Sequence, residues 1–392
     1  MINIHLYPSS FQNESRIMRE ARSLVRLGLF DRIDLVGIGM EGLPETETLG
    51  PGMRIVRIGM RGELRGLARK VIDTAAWTAA IYRRYGSGSR ESLACINCHS
   101  VATLPVGVML KRLTGAKLIY DPHELESEAN GLHGLRKILT KRVERALVGA
   151  ADHCIFVGRA IEEWYAREYQ LANTTVLYNC PAHTEVAPSG CFRKAFAVSP
   201  EKAVFLYQGL LGEGRGIRLL VEAFAPLAQH AELVIMGYGP LETWVREQAE
   251  RHPNVHFHPA VAPDRLLDYT AGADFGLSVI EPTSVSYDYC MPNKLFEYVM
   301  ARIPVLVSPT IEQRKFVETL GVGEVAMAVT AEGVRDAALR LMRHGAAHYH
   351  AALERARSEF CWEQQERRLE RAYLDAVGFR AGAAMQGGIA EL

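Results

Sequence analysis

Short apolar runs separated by longer amphipathic ones recur along almost the whole chain, and this alternation leaves few architectures open. In the first half the apolar runs are Ile2–Tyr7, Ile33–Ile38, Arg54–Ile58, Leu93–Asn97, Lys117–Tyr120, His153–Val157 and Thr175–Tyr178. Helical periodicity lies between them at Ser15–Leu27, Leu64–Arg84, Leu104–Leu113, Leu135–Val148 and Ala160–Tyr169. Such an order predicts a parallel sheet with helices on both faces. The pattern lapses over residues 179–200, where Pro181, Pro188, Ser189, Gly190 and Pro200 interrupt every period. It resumes with runs at Ala203–Tyr207, Glu232–Met236, Val255–Phe257, Phe275–Val279, Ile303–Val307 and Glu324–Ala328, and with helices near Arg215–Ala228, Leu241–Arg251 and Leu295–Ala301. Beyond Ala331 the pattern is helical, ending in a Gly/Ala-rich tail expected to fray. The chain of 392 residues therefore reads as α/β, with two doubly wound Rossmann-like domains facing a central cleft. Their bounds are 1–180 and 181–355, followed by a last helical segment, 356–392. Ligands of such sheets bind at the carboxyl ends of the strands, so chemistry is sought in the strand-to-helix loops.

Composition narrows the class. A hydrophobic share of 48% and a charged share of 23% are those of a globular protein. No window approaches the roughly 18 apolar residues of a membrane helix. The chain enters its first strand without a basic region and apolar core, so no signal peptide is expected and the site of action is read as cytoplasmic. The net charge is zero but unevenly spread: between Pro51 and Arg90 nine basic residues face only Glu63 and Asp73. A second basic cluster is Arg136, Lys137, Lys141, Arg142 and Arg145, against Glu144. A basic half in a neutral chain suggests an anionic acceptor or membrane surface rather than nucleic acid, while either cluster taken singly also describes a solvated helix face. The 7 cysteines are scattered and expected to be reduced. Cys95-Ile96-Asn97-Cys98-His99 matches the haem-attachment pattern, but it lies in a strand-like run and is read as core. No cofactor and no metal are expected.

Several loops carry candidate chemistry. In Met291-Pro292-Asn293-Lys294-Leu295-Phe296-Glu297-Tyr298, a helix start at Pro292 and Asn293 sets Lys294 and Glu297 about one turn apart. Helix N-termini attract anions, so a lysine there suits phosphate and a glutamate one turn on suits paired hydroxyls. The spacing alone equally describes a surface ion pair. Tyr207-Gln208-Gly209-Leu210-Leu211-Gly212-Glu213-Gly214-Arg215-Gly216 follows the first strand of the second domain, letting backbone approach an anion while Arg215 offers a fork of donors. Its glycine spacing is not the dinucleotide fingerprint. Gly237-Tyr238-Gly239-Pro240 is a second close-approach loop. In the first domain, His99-Ser100 and Tyr120-Asp121-Pro122-His123-Glu124 end successive strands, where histidines and carboxylates suit hydroxyl binding or proton handling.

In order and position these segments, with the Ser10–Arg16 loop and Tyr178-Asn179, resemble the retaining, nucleotide-sugar-dependent glycosyltransferases of family 4 over residues 1–375. The resemblance implies the GT-B fold, with an N-terminal acceptor-binding domain, a C-terminal nucleotide-sugar-binding domain and a final helix, carrying Trp362, that returns to the first. It implies that Arg215 and Lys294 hold the leaving diphosphate, that Glu297 binds the ribose, and that Gly209, Gly237 and Asn293 complete the donor site. His123 would lie under the donor sugar, and Arg16, His99 and Glu124 would meet the acceptor. The implied reaction moves a sugar, with retention, from a nucleotide diphosphate to a glycan or lipid-linked acceptor in cell-surface polysaccharide assembly, without a metal. A GT-B nucleotide-sugar epimerase or hydrolase and a non-catalytic nucleotide-sugar-binding subunit are the alternatives. One departure is plain: many members carry an earlier glutamate where this chain has Tyr289, and Glu281 lies farther upstream. Base, sugar, acceptor, linkage and oligomeric state are not legible.

Overall fold

The computed structural model describes residues 1–12, 14–59, 67–86 and 92–378. Asn13, Arg61, Arg65, Arg90 and the Gly/Ala-rich tail lie outside them. The first sheet contains β1 (Ile2–Leu6), β2 (Arg32–Ile38), β3 (Thr46–Gly50), β4 (Met53–Ile58), β5 (Leu93–Cys98), β6 (Lys117–Tyr120), β7 (His153–Phe156) and β8 (Thr174–Val176). Its order is β3-β4-β2-β1-β5-β6-β7-β8, parallel except for β3. The polar edge strand β3 was not anticipated, because Thr46-Glu47-Thr48-Leu49-Gly50 has no buried residue to set a period.

Period-two alternation divides the first domain's core between the two faces of the sheet. Ile4, Leu6, Val36, Val56, Ile96 and Leu118 pack on one side. Ile33, Leu35, Ile55, Cys95, Ile119 and Ile155 pack on the other, against the helix Ser15–Arg26 and the chain's last described helix, Trp362–Val377. That last helix is fastened by a hydrogen bond from Trp362 Nε1 to Ser23 Oγ (2.8 Å) and by one from Asn97 Nδ2 to the Tyr373 hydroxyl. Cys95 and Cys98 are fully buried, and burial pushes the Cys98 thiol up to about 12.

The second sheet holds β9 (Ala203–Leu210), β10 (Ala231–Tyr238), β11 (Val255–Pro259), β12 (Phe275–Ser278), β13 (Val305–Val307) and β14 (Gly323–Val325). It is parallel throughout, in the order β11-β10-β9-β12-β13-β14. The patternless stretch before it contains a short helix, Cys191–Ala195, whose Phe192 is buried in the second core. Each sheet has a topological switch point, between β1 and β5 in the first and between β9 and β12 in the second. Loops at both switch points line one cleft, where such folds bind ligands.

Direct contacts join the domains beside that cleft. Glu312, on the helix Ile311–Leu320, accepts hydrogen bonds from the backbone N–H groups of Arg159 (3.0 Å) and Ala160 (2.7 Å). Those groups open the first-domain helix Arg159–Tyr169, whose own N-cap, Gly158, has no side chain to supply. A carboxylate from one domain thus satisfies the free donors of a helix in the other. Ser286 Oγ donates to Glu124 Oε2 (3.3 Å), and Thr283 Oγ1 to Asn130 Oδ1 (3.2 Å), across the same boundary.

Candidate functional site

The cleft has a volume of about 800 Å³ and is lined from both domains. Its second-domain wall is cationic. The helix Asn293–Met300 starts after Pro292, whose extended backbone forms the N-cap, so Asn293 and Lys294 sit in the first turn and face the cleft. Lys294 is only 7% exposed. Its Nζ has no hydrogen-bond partner among the described residues and rests 3.6 Å from the centroid of the Tyr207 ring. Burial, reinforced by the neighbouring Arg215 charge, lowers its pKa to about 7. Arg215 stacks its guanidinium over Tyr287 at 5.1 Å and lines the cleft just before the helix Ile217–Phe224.

Glu297 does not form the surface ion pair that its spacing from Lys294 permits. It lies inward and accepts from Gln208 Nε2 (2.5 Å), while Gln208 Oε1 accepts from Thr270 Oγ1 (2.9 Å). Burial raises the Glu297 pKa. Gly209 and Gly237 are paired on β9 and β10, and a Cβ on Gly237 would stand 1.9 Å from the Gly209 carbonyl oxygen. Gly209 itself has φ +122°, a backbone state that favours glycine. Both glycines line the cleft.

Glu281 is committed elsewhere. Its N–H donates to Gly214 O (3.0 Å) and its Oε1 accepts from Gly216 N (3.2 Å), so it braces the glycine turn that carries Arg215. Tyr289 packs against the first domain's core, while Tyr287 and Cys290 on either side of it line the cleft.

The first-domain wall is acidic, with Glu14, Glu124 and Glu126 around Tyr7. Burial raises the pKa of Glu124 and takes Glu126 to about 8, so Glu126 holds its proton near neutrality. His123 lies beside Tyr7, ring centroids 5.3 Å apart, and burial lowers its pKa to about 3. It is the cleft-facing end of a buried chain. His123 Nε2 is 3.2 Å from His99 Nδ1, which is 2.9 Å from Asp121 Oδ2. Arg16 Nη2 donates to Asp121 Oδ1 (2.9 Å) and Arg16 Nη1 to Leu177 O (2.7 Å), while Arg16 Nε is 3.0 Å from Glu20. On the other side His5 Nδ1 lies 2.9 Å from His99 Nε2, and Asn3 Nδ2 lies 3.2 Å from His5 Nε2.

Donation from the Asn3 amide to His5 and from His5 Nδ1–H to His99 Nε2 is one direction these contacts allow, and it leaves His99 Nδ1–H between His123 Nε2 and the Asp121 carboxylate. Burial would neutralise Asp121, but Arg16 and His99 outweigh it and hold its carboxyl well below the usual range. The nitrogen atoms of His99 and His123 and an oxygen of Asp121 are near enough to hold a cation, and Arg16 already supplies positive charge to that carboxylate.

His99 is fully buried, so the direct acceptor contact expected of it is replaced by a place behind His123. Arg16 borders the cleft, but its side chain is only 6% exposed and its guanidinium is engaged inside the protein. Of the three residues expected at the acceptor, Glu124 retains a carboxylate facing the cleft. Glu126 and Glu14 were not singled out in the sequence; their loops follow the same strand ends, which is the only signal that marks them.

Two family profiles match the chain: the "Glycosyl transferase 4-like domain" over residues 14–180 and "Glycosyl transferases group 1" over residues 202–344. Among functionally curated proteins no sequence matches. Among solved structures, sucrose-phosphate synthase from Thermosynechococcus elongatus is similar with a TM-score of 0.76 at 17% identity, over 95% of this chain and 98% of that one. Anabaena HepE in complex with UDP-glucose gives a TM-score of 0.69 at 13% identity, over 95% and 98%. WaaG, a glycosyltransferase involved in lipopolysaccharide biosynthesis, gives 0.68 at 16% identity, over 97% and 100%.

Proposed function

We infer the reaction from membership: the chain belongs to the family-4-type glycosyltransferases of GT-B fold, and we propose that it moves a sugar from a nucleotide diphosphate to a glycan or lipid-linked acceptor with retention at the anomeric carbon. The observation that carries this reading is Lys294, a buried amine with no acceptor among the described residues, at a helix start beside Arg215. Such a group favours a bound anion strongly, because the anion supplies the missing partner and restores the proton.

Charge develops on the diphosphate as the sugar–phosphate bond breaks. Lys294, Arg215 and the N–H groups of the first turn at Asn293 stabilise that charge without reorganising, and no metal or cofactor is needed in the step. Gly209 and Gly237 let the backbone approach the nucleotide, and Glu297, held by Gln208, receives the ribose hydroxyls. Neutral His123 presents a hydrogen bond to the sugar rather than a charge. Glu124 and Glu126 face the acceptor hydroxyls. The setting is cell-surface polysaccharide assembly, with the protein peripheral to an anionic membrane on the cytoplasmic side. HepE binds UDP-glucose and WaaG serves lipopolysaccharide biosynthesis, which supports donor and setting by analogy.

A thermal-shift screen of UDP, GDP and ADP, free and as their common sugars, tests the donor. A true ligand at a hundred times its dissociation constant stabilises the fold by about 2.7 kcal/mol. The same screen on Lys294→Met and Arg215→Ala should lose most of the shift. Equal shifts in both variants and in the wild type would refute the assignment. Nucleotide release that needs added acceptor separates transfer from hydrolysis.

A further inference from the structure

We propose that His99 is a positioning residue: backed by His5, it fixes His123 in the tautomer with its proton on Nδ1 and so aims a hydrogen-bond donor at the donor sugar. This deepens the transferase reading above and rests on it, since that reading supplies the sugar.

Charge places the first proton. Two buried acids flank Arg16: Asp121, whose Oδ1 accepts from Nη2 at 2.9 Å, and Glu20, 3.0 Å from Nε. Burial raises the Glu20 carboxyl well above its usual range, whereas Arg16 and His99 hold Asp121 well below its own. Asp121 is therefore the acid that carries the charge, and its Oδ2 lies 2.9 Å from His99 Nδ1. A carboxylate oxygen would repel a bare ring nitrogen at that distance, so His99 Nδ1 bears a proton. His5 answers from the other side of the ring. Burial keeps His5 neutral, and with a proton on its Nδ1 it donates to His99 Nε2 at 2.9 Å. Its own Nε2 then takes the Asn3 amide at 3.2 Å. Both rings are fully buried, so no water competes for these contacts.

The proton on His99 decides the state of His123. His123 Nε2 lies 3.2 Å from His99 Nδ1, with the two ring centroids 5.2 Å apart. No hydrogen bond links His123 to Asp121 among the described residues, so His99 is the group that Nε2 meets. A second proton on Nε2 would oppose the first across this contact, which makes Nε2 the acceptor. Burial lowers the His123 pKa to about 3, so its ring keeps one proton, and that proton stands on Nδ1. Nδ1 makes no hydrogen bond among the described residues, and the ring lines the cleft beside Tyr7. Without the ring behind it, His123 would exchange between tautomers and meet the sugar with a lone pair in part of its population. A donor fixed in advance needs no reorganisation during transfer.

The test is NMR of the full chain with isotope-labelled imidazole nitrogens, which reads tautomers directly, His123 being assigned by its absence from His123→Gln. The ligand-free wild type should carry the His123 proton on Nδ1. His99→Asn keeps an amide N–H near the place of Nδ1–H, whereas His99→Leu has no donor, and both lose the ring. The asparagine variant should keep the tautomer and most of kcat/KM. The leucine variant should release the tautomer and lose about tenfold in kcat/KM, while the thermal shift given by the free nucleoside diphosphate stays that of the wild type. His5→Leu should loosen the same lock with the same unchanged shift. A wild-type proton on Nε2 overturns the proposal whether or not the variants fold. Equal losses in His99→Asn and His99→Leu make the role of His99 structural and overturn it too. If His123 carries its proton on Nδ1 but no nucleotide sugar is turned over, the transferase reading falls, and with it the role of His99 in transfer, while the tautomer stands.

Discussion

The Lys294 Nζ lies 3.6 Å from the centroid of the Tyr207 ring, while no acceptor atom of the described residues reaches it. The ring face stabilises a cation electrostatically but accepts no strong hydrogen bond. Tyr207 is itself fixed, its hydroxyl donating to Leu210 O at 2.8 Å. The ring therefore holds the lysine aimed into the cleft without neutralising it.

Lys294 binds its proton less firmly in the folded protein than in the unfolded chain, because burial and Arg215 lower its pKa from 10.5 to about 7. Between those values the unfolded chain holds the extra proton, so the ligand-free fold gains stability as pH rises through that window. A bound diphosphate reverses the preference by favouring the ammonium. Relative to Lys294→Met, wild-type affinity for the diphosphate should therefore fall above about pH 7, by up to about tenfold per pH unit. Calorimetric titration of both proteins from about pH 6 to about pH 9 measures the difference. A difference independent of pH would remove Lys294 from the phosphate.

Glu312 joins the domains by accepting from the N–H groups of Arg159 and Ala160. Glu312→Ala deprives that helix of its cap, a loss of about 1 kcal/mol. The closed arrangement should then be less populated, seen as a larger radius of gyration in solution scattering without nucleotide. The donor KM should rise while kcat changes little. A scattering curve identical to that of the wild type would show that the Glu124 and Asn130 contacts suffice for closure.

Strand-end loops were legible because apolar periodicity locates strands, and the first turn of a helix puts Lys294 and Glu297 at a fixed separation. Partners distant in sequence were not. Arg16 and Asp121 stand 105 positions apart, and neither charge signals that the other will neutralise it in the interior. Glu312 bonds backbone N–H groups 153 and 152 positions away, which leave no mark on residue type. Glu281 shows the same limit: the sequence supplies an acid near the missing glutamate, while its role depends on the amide and carbonyl of a glycine turn. His99 sits at a strand end like His123, and only packing separates the buried residue from the cleft-facing one.

Acid should weaken the fold through the histidine chain. Burial lowers His123 to about 3 and takes His5 well below its usual value, so below about pH 6.5 the unfolded chain binds protons that the folded protein excludes. Stability should fall as pH drops from there, by at most about 1.4 kcal/mol per pH unit for each group. His123→Gln should flatten the slope by one proton in a series of urea unfolding curves. Asp121→Asn removes the charge opposite buried Arg16 and should cost about 3–5 kcal/mol. An unchanged slope in His123→Gln would mean that His123 is protonated in the folded state.

Tyr289 stands where the family resemblance leads one to expect a glutamate, and it packs against apolar residues of the first domain. Restoring the acid would set a carboxylate against that packing rather than beside the sugar, with a desolvation cost of about 1–3 kcal/mol. Tyr289→Glu should therefore lower the melting temperature and raise the donor KM without raising kcat, because the lost contact also joins the domains. Tyr289→Phe keeps the packing and should match the wild type in all three. If Tyr289→Glu instead raised kcat at an unchanged melting temperature, the side chain at this position would face the donor sugar, and the grip on its hydroxyls would have to be reassigned from the first-domain wall to this loop.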